Sequence, residues 1–385
     1  MNFDQVIDRR HSDSLKWNLY AEDVLPMWVA DMDFSSPPPV LEAMHARVDH
    51  GIFGYGIPGD GLYEAVIERK KRLFNWEVNK SQISFVPGIV PGFNLAIRAV
   101  CKPGDAVIYQ TPAYPPFLSA PENGGYRSVH NDMLQQADGS YVIDFDRFEQ
   151  QIIENKVKAF ILCNPHNPTG RVFTRAELEK LAEICLRHNV IICSDEIHCD
   201  IVYDGYHHIP IASLAPEVSA ITMTFVAPSK TFNIAGLYAS VAIVQDKTLF
   251  EKFCKVRDGV IGNPDVLALT AAEAAYRNGG SWLQECLAYL TINRDWLVEN
   301  VPTLLPGVKM AKPEATFLAW LDCRDSGLTD PQKFFLEKAK VGLNRGETFG
   351  EAGRGFVRFN FGTQKARVIE AITRMEEALL VTQAC

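Results

Sequence analysis

Short apolar runs alternate with segments of helical period through the middle of the chain. Four runs have the continuously apolar, β-rich composition of strands buried on both faces: residues 106–109, 159–163, 190–193 and 221–225. Between the second and third runs, Thr174 and Glu177 have the spacing of a capping box, and apolar residues follow at helical intervals. Repeated strand–helix–strand units predict an α/β fold with a mostly parallel sheet and helices on both faces.

The final third of the chain has a different pattern. A long helical pattern runs from Val266 to about Asn300, is broken at Gly279-Gly280 and stops near Pro302. Two strand-like segments and a closing helix follow, at residues 317–321, 356–361 and 365–381. We expect a second, smaller α+β domain that the N-terminal segment completes. In this division residues 46–275 form the large domain, and residues 1–45 with 276–385 form the small one.

Composition and charge narrow the classes of protein to consider. The 385 residues are 47% hydrophobic and 22% charged, which excludes disordered and fibrous proteins. A net charge of −9 argues against nucleic acid as a partner, because phosphate binding needs a basic surface. The basic run Arg69-Lys70-Lys71-Arg72 lies in a helical stretch and is predicted to be a solvated helix face.

Cysteine usage and hydropathy bear on where the protein works. Nine scattered cysteines form no CxxC pair, which is typical of reduced thiols: Cys101, Cys163, Cys185, Cys193, Cys199, Cys254, Cys286, Cys323 and Cys385. The sequence contains no run of about 18 apolar residues, so it predicts no membrane span. The charged N-terminus does not resemble a secretory signal. We expect a cytoplasmic protein with no membrane partner.

Polar side chains follow three of the predicted strands at their carboxyl ends, where open α/β sheets bind ligands. The first group runs from Asn164 to Gly170, the second begins at Asp195-Glu196, and the third contains Ser229-Lys230. Singly, these groups are explained as a turn, a helix N-cap and an ordinary polar pair. Together they match the needs of pyridoxal phosphate, which takes a lysine for its Schiff base and a carboxylate for its pyridinium nitrogen.

Lys230 and Asp195 supply these two groups, and Asn167 supplies a hydrogen-bond donor for the phenolic oxygen of the cofactor. The cofactor phosphate needs backbone N–H groups. We expect them from the turn Pro87-Gly88-Ile89-Val90, which leads into an apolar helix at 93–100 and presents free N–H groups at the positive end of the helix dipole.

The order of these motifs resembles the fold-type I pyridoxal-phosphate enzymes of the class I/II aminotransferase superfamily. Further motifs narrow the resemblance to the MalY/PatB group of cystathionine (cysteine-S-conjugate) β-lyases: Phe3-Asp4, Asp8-Arg9-Arg10, Ser14-Leu15-Lys16-Trp17, residues 28–34, 53–58, 194–200 and 229–236. The resemblance covers essentially the whole chain. It implies the fold-type I architecture, pyridoxal 5'-phosphate as cofactor, and a homodimer with shared active sites.

The resemblance also implies a role for each matching residue. Lys230 would carry the cofactor and then move protons, Asp195 would keep the ring nitrogen protonated, and Asn167 would bond the phenolic oxygen. Tyr114 would stack on the ring and assist at the leaving group. The other residues implied around the cofactor are Ile89, Val90, Ile197, His198 and Ser229.

Two more residues are implied at the substrate and across the dimer. Arg358 matches the arginine that grips the substrate α-carboxylate, a role that suits its planar fork, although a surface arginine at a strand edge is the simpler alternative. Tyr55 matches a tyrosine that reaches the cofactor phosphate and the substrate of the neighbouring subunit, although it could equally pack a loop. Tyr238 and Ala227 depart from the wider aminotransferase pattern, which has an arginine and a Ser or Thr there.

No metal site is expected. Several possible ligands are close in sequence but match no zinc spacing: His198, Cys199, Asp200, His207 and His208. The pair His207-His208 is predicted to lie in a polar surface loop.

The leading hypothesis is α,β-elimination on L-cystathionine or a related cysteine S-conjugate, which gives a thiol, pyruvate and ammonia. Two alternatives stay open. One is an aminotransferase, which needs a keto-acid acceptor. The other is a regulatory protein that keeps the cofactor fold and acts through a protein partner.

Overall fold

Strands and helices alternate along the part of the chain that the structure, a computed structural model, describes, residues 1–383. The strands are β1 (Leu25–Pro26), β2 (Ile83–Val86), β3 (Ala106–Thr111), β4 (Arg127–Asp132), β5 (Leu134–Gln135), β6 (Tyr141–Val142), β7 (Val157–Cys163), β8 (Ile191–Asp195), β9 (Thr222–Val226), β10 (Ser240–Ile243), β11 (Lys309–Met310), β12 (Leu318–Asp322), β13 (Val341–Gly342), β14 (Asn344–Arg345) and β15 (Phe356–Asn360). The helices are α1 (Leu15–Asn18), α2 (Pro38–Asp49), α3 (Asp60–Phe74), α4 (Ile89–Val100), α5 (Pro115–Asn123), α6 (Phe145–Asn155), α7 (Arg175–Arg187), α8 (Pro216–Ala220), α9 (Pro228–Thr231), α10 (Lys247–Arg257), α11 (Val266–Asn278), α12 (Gly280–Leu304), α13 (Pro331–Glu337) and α14 (Lys365–Gln383).

The central sheet has the strand order β2-β10-β9-β8-β7-β3-β4. The five strands from β9 to β4 run parallel, and β10 is antiparallel to both of its neighbours. The four strands predicted from apolar runs correspond to β3, β7, β8 and β9, and Thr174 and Glu177 form the predicted capping box of α7. The prediction of an α/β fold with a mostly parallel sheet is therefore confirmed.

Apolar cores cover both faces of this sheet. On β7, Ala159 and Ile161 face a core that includes α4, α5 and α10, whereas Phe160 and Leu162 face a core that includes α6 and α7. Because alternate side chains of a strand point to opposite faces, the apolar run 159–163 of this strand is buried on both sides. The carboxyl ends of the parallel strands are the edge at which such a sheet binds ligands.

A second, antiparallel sheet has the order β11-β12-β15-β14 and shares an apolar core with α12 and α14. The N-terminal segment packs beside it, since β1 pairs in parallel with β13 and the N–H of Asn360 donates to the carbonyl of Met27 at 2.9 Å. α12 continues through Pro302 to Leu304, past the predicted end near Asn300. Pro302 has no N–H and therefore lacks one helix hydrogen bond. Because it lies in the last turn of α12, beside the buried Val301, this loss falls at the end of the helix and does not break it.

The basic run on α3 differs from its prediction as a solvated face. Arg69 and Lys70 are 4% and 3% exposed. The Arg69 guanidinium forms an ion pair with Asp200 at 2.9 Å, and the Lys70 ammonium lies 4.9 Å from the ring centre of Phe74. The prediction was wrong for these two residues. The partner of Arg69 lies far along the chain and that of Lys70 lies on the same helix, and the basic run by itself indicated neither contact. None of the helices in residues 1–383 is long and apolar enough to cross a membrane.

Candidate active site

A cavity of about 280 Å³ lies at the carboxyl ends of β7, β8 and β9. β8 ends at Asp195, and the turn after β9 forms α9, which carries Lys230. The cavity is lined by every predicted site residue except Tyr55: Ile89, Val90, Tyr114, Asn167, Asp195, Ile197, His198, Ser229, Lys230 and Arg358. Residues from six separate regions of the sequence therefore meet at the edge of the sheet that the motif positions predicted.

Lys230 points into the cavity and has one hydrogen-bond partner there. Its Nζ donates to the carbonyl oxygen of Ala30 at 2.5 Å. Burial lowers the pKa of Lys230 to about 8, the negative charge of Asp31 opposes the shift, and the positive charge of Arg358 adds to it. Near neutral pH a fraction of this amine is therefore neutral and nucleophilic.

Asp195 and Glu196 are adjacent buried carboxyl groups that face in different directions. Asp195 lines the cavity and accepts a hydrogen bond from the N–H of Ile197 at 3.0 Å. Burial raises the pKa of Asp195 to about 7; the Ile197 N–H and the Lys230 charge lower it, and the neighbouring Glu196 raises it further. Glu196 instead accepts from the hydroxyl of Ser194 at 2.9 Å and lies 3.0 Å from Nε2 of His208.

His208 is buried, so the prediction of a surface loop is wrong for this residue. Its ring packs edge-on against Phe74, and its Nδ1 lies 3.5 Å from Nδ2 of Asn164. These contacts connect the His208 loop to the end of β8 and to the segment after β7, and no local pattern in the sequence indicates them. Within residues 1–383, no three His, Cys, Asp or Glu side chains are grouped so that they could hold a metal ion.

Arg358 is buried in the interior of the second sheet, so the surface alternative is wrong. Its Nη1 donates to Oδ1 of Asn167 at 2.9 Å, and its Nη2 donates to the carbonyl of Trp28 at 3.1 Å and to Oδ1 of Asn344 at 2.7 Å. Burial lowers the pKa of Arg358 to about 10, which still leaves it charged at neutral pH. Asn344 and Trp28 were not predicted as supports of this arginine.

Two buried polar atoms at the cavity have no hydrogen-bond partner. They are Nδ1 of His198 and Nε of Arg358. Burial lowers the pKa of His198 to about 3, and the positive charges of Lys230 and Arg358 lower it further, so the ring is neutral. Buried polar atoms are normally satisfied, and these two indicate that a polar ligand completes the site.

The amino end of α4 forms one wall of the cavity. Gly88 has a φ of +104°, a conformation that glycine adopts at little cost, and the helix begins at Ile89. The first N–H groups of a helix have no partner within the helix, so those of Ile89 and Val90 are available to an anion. Tyr238 lines the same wall next to Gly88, and the sequence had marked it only as a departure from a family pattern.

The segment around Val29 and Ala30 also lines the cavity, although its residues were not predicted to be functional. The side-chain amide of Asn360 holds this segment by donating to the carbonyls of Val29 and Asp31 at 2.6 and 2.7 Å. The segment is irregular backbone that follows β1. In the sequence, only the resemblance of residues 28–34 to the lyase group indicated that it matters.

Tyr55 is fully exposed and does not line the cavity of its own chain. It lies in a segment with two further exposed apolar residues, Phe53 and Ile57. An uncharged, apolar and exposed segment of this kind is typical of a surface that another protein covers.

The cysteines contribute no charged group to the site. Eight cysteines lie in residues 1–383, all of them free, and all but Cys254 are buried, whereas Cys385 lies outside these residues. Cys163 lines the cavity, and burial together with the negative charge of Asp195 raises the pKa of its thiol.

Comparisons with known proteins agree with this geometry. The family described as aminotransferase class I and II matches residues 22–375. Cystathionine β-lyase PatB of Bacillus subtilis is 43% identical over 98% of this chain and 100% of its own. The solved structure of cystalysin from Treponema denticola, which contains a pyridoxal 5'-phosphate cofactor, is 34% identical with a TM-score of 0.95 over 99% of both chains. The pyridoxal-phosphate-bound C–S lyase of Staphylococcus hominis is 33% identical with a TM-score of 0.94 over 99% of both chains.

Proposed function

The chain belongs to the aminotransferase class I and II family, and from this premise we propose that it is a pyridoxal-phosphate-dependent carbon–sulfur β-lyase. It eliminates the thiol from L-cystathionine or a related cysteine S-conjugate and gives the thiol, pyruvate and ammonia. The observation that carries the proposal is the convergence of Lys230, Asp195 and Arg358 on one buried cavity. Relatives that are named lyases and resemble the chain over nearly its full length support it.

The cavity fits pyridoxal phosphate. Lys230 offers the amine that bonds to the cofactor aldehyde, and Asp195 offers a carboxylate for the ring nitrogen. Asn167 would bond the phenolic oxygen, and Tyr114 and Ile197 would contact the two faces of the ring. When bound, the cofactor supplies a protonated ring that stabilises negative charge at the substrate Cα.

The phosphate would lie at the amino end of α4. Ile89, Val90 and Ser229 line the cavity there, and the N–H groups of the first two with the hydroxyl of the third would donate to the phosphate. The side chains of residues 1–383 that line the cavity include only two cations, Lys230 and Arg358, so the helix end carries much of the anion binding on this side.

The protein side chains divide the remaining tasks of the reaction. Arg358, held by Asn167, Trp28 and Asn344, binds the substrate α-carboxylate with its fork and fixes the orientation of the Cα–H bond. The amine of Lys230 takes the proton from Cα, since its lowered pKa leaves part of it neutral. Burial raises the pKa of Tyr114, which therefore keeps its proton and can donate a hydrogen bond to the departing sulfur.

The active form in this proposal is a cytoplasmic homodimer. The exposed segment with Phe53, Tyr55 and Ile57 supports it, because a second copy of the chain would cover these apolar side chains. Tyr55 would then reach the phosphate and substrate of the other subunit. Eight free cysteines support a reducing compartment.

The division into a large domain (46–275) and a small domain (1–45 with 276–385) remains a proposal. The second sheet and its shared core with α12 and α14 support it. The two borders lie inside α2 and α11, which pack against each other.

The test is an assay with L-cystathionine and no keto acid. We expect catalytic release of pyruvate and thiol, and no release by the Lys230→Ala variant. Activity that depends strictly on an added keto acid would instead identify an aminotransferase. A protein that binds the cofactor but turns over neither reaction would support the regulatory alternative.

A further inference from the structure

A buried ion pair lies behind the turn that carries Lys230. Nη2 of Arg69 is 2.9 Å from Oδ1 of Asp200, and both side chains are 4% exposed. Arg69 comes from α3, and Asp200 comes from the segment that follows β8. The guanidinium is also 5.5 Å from the ring centre of Phe232 and 5.4 Å from that of Tyr276.

The second oxygen of the same carboxylate reaches the neighbour of the lysine. Oγ1 of Thr231 donates to Oδ2 of Asp200 at 2.9 Å, and Thr231 is fully buried. Phe232, which lies under the guanidinium, is the next residue in the chain. Arg69 and Asp200 thus contact the two residues that directly follow Lys230.

Asp200 connects the two segments whose relative position matters most at the site. One segment begins with Asp195 and contains His198, and the other is α9 with Ser229 and Lys230. A shift between them would change the distance between the amine that bonds the cofactor aldehyde and the carboxylate that pairs with the ring nitrogen. The charged and titratable groups around Asp200 are Arg69, Lys70, Cys199 and Tyr276, and the Thr231 hydroxyl is its contact with the lysine turn.

We propose that Asp200, held in place by Arg69, is a positioning residue that sets Lys230 relative to Asp195 through the hydroxyl of Thr231. This inference rests on the proposed function, since it assigns to Arg69, Asp200 and Thr231 an effect on pyridoxal phosphate binding. A buried ion pair is often no more stabilising than apolar residues of similar size, so stability alone is a weak reason for its presence here. Its connection to both cofactor-binding segments gives it a specific role.

Thr231→Val tests the contact with the least change in shape, because valine replaces the hydroxyl by a methyl group. The matched control is Thr222→Val, which also removes a buried threonine hydroxyl, one that donates to the carbonyl of Val218 at 2.7 Å at the opposite end of β9. Equilibrium dialysis of each holoenzyme against graded pyridoxal phosphate gives the dissociation constant, and thermal unfolding without cofactor gives the stability.

We expect Thr231→Val to weaken cofactor binding by about tenfold, because the turn loses its hydrogen bond to Asp200 and no longer holds the Lys230 amine where the bound cofactor requires it. Thr222→Val should leave the dissociation constant within about twofold of wild type even if it lowers the unfolding temperature. Thr231→Ser, which restores the hydroxyl, should bind the cofactor like wild type. Arg69→Lys keeps a cation beside Asp200 without the planar fork and should weaken binding by about threefold.

Unchanged cofactor binding in both Thr231→Val and Arg69→Lys would overturn the proposal, as would equal weakening by Thr222→Val. A serine variant that binds as poorly as the valine variant would also overturn it. A wild-type protein that binds no pyridoxal phosphate would refute the proposed function itself, which separates the two failures.

Discussion

The adjacent carboxyl groups of Asp195 and Glu196 have different surroundings in this fold. Asp195 faces the cavity with one backbone donor, whereas Glu196 turns away to Ser194 and His208. The motif at the end of β8 was sufficient to predict that Asp195 lies with the other candidate site residues, at the cavity. It was not sufficient to predict the partner of Glu196, because His208 reaches it through a loop whose position depends on packing against Phe74.

The raised pKa of Asp195 predicts a pH-dependent effect of Asp195→Asn on the cofactor-free protein. Folding raises this pKa from 3.8 to about 7, so the unfolded chain loses its proton at lower pH than the folded protein does. The wild-type contribution to stability is thus present below about pH 4 and is lost as pH rises to about 7, and the amide of the variant does not titrate.

We expect the unfolding temperature of Asp195→Asn minus that of wild type to increase between about pH 4 and 7. Thermal unfolding across this range measures it, and the exposed Asp204→Asn controls for the loss of one charge. A difference that stays constant with pH for Asp195→Asn would contradict the assignment of the raised pKa.

Helix α4 packs closely against β9, and its amino end brings the N–H groups of Ile89 and Val90 to the cavity. A Cβ on Gly92 would lie 2.8 Å from the ring of Phe225 on β9, so the helix backbone rests directly against that ring. The sequence predicted a turn at residues 87–90 and a helix only from residue 93, with Pro91 between the two. Proline is tolerated in the first turn of a helix, and α4 therefore begins four residues earlier.

Gly92→Ala should destabilise the protein by about 1–3 kcal/mol, because the added methyl overpacks the contact with Phe225. This loss should exceed the gain of about 1 kcal/mol that alanine normally brings to a helix interior. Urea denaturation measures the change. Gly280→Ala, whose Cβ would meet no atom within 4 Å, is the control and should not destabilise, and Phe225→Leu should partly rescue Gly92→Ala. Equal stability of the two alanine variants would show that the contact between α4 and Phe225 accommodates the added methyl group.

For the whole molecule, periodicity predicted the elements but not the contacts between distant segments. The central sheet follows from runs of apolar residues, and its ligand-binding edge follows from polar groups at strand ends. The segment from Trp28 to Asp31 could not be predicted in this way, because it is irregular backbone held by side chains of β15 such as Asn360. The burial of Arg69 was missed for the same reason, since its partner Asp200 lies far along the chain.

The proposed homodimer with shared active sites predicts complementation between two defective subunits. Lys230→Ala lacks the amine in its own site, and Tyr55→Ala lacks the residue proposed to reach the other site. In a mixed dimer one site keeps both residues, so co-expression should restore up to about a quarter of wild-type activity when subunits pair at random. Purification through two different tags isolates the mixed dimer, and light scattering gives its mass. A mixed dimer with no activity above its parents would refute the shared site.

The buried cysteines have a consequence for an enzyme that releases thiols. Thiols and the disulfides they form exchange with protein sulfur through the thiolate, at a rate set by its population and its access to solvent. Burial raises the pKa of all eight cysteines in residues 1–383. The six buried cysteines outside the cavity, all except Cys163 and Cys254, are thereby withheld from thiol–disulfide exchange, and the enzyme can work in its own product without forming mixed disulfides at these six positions.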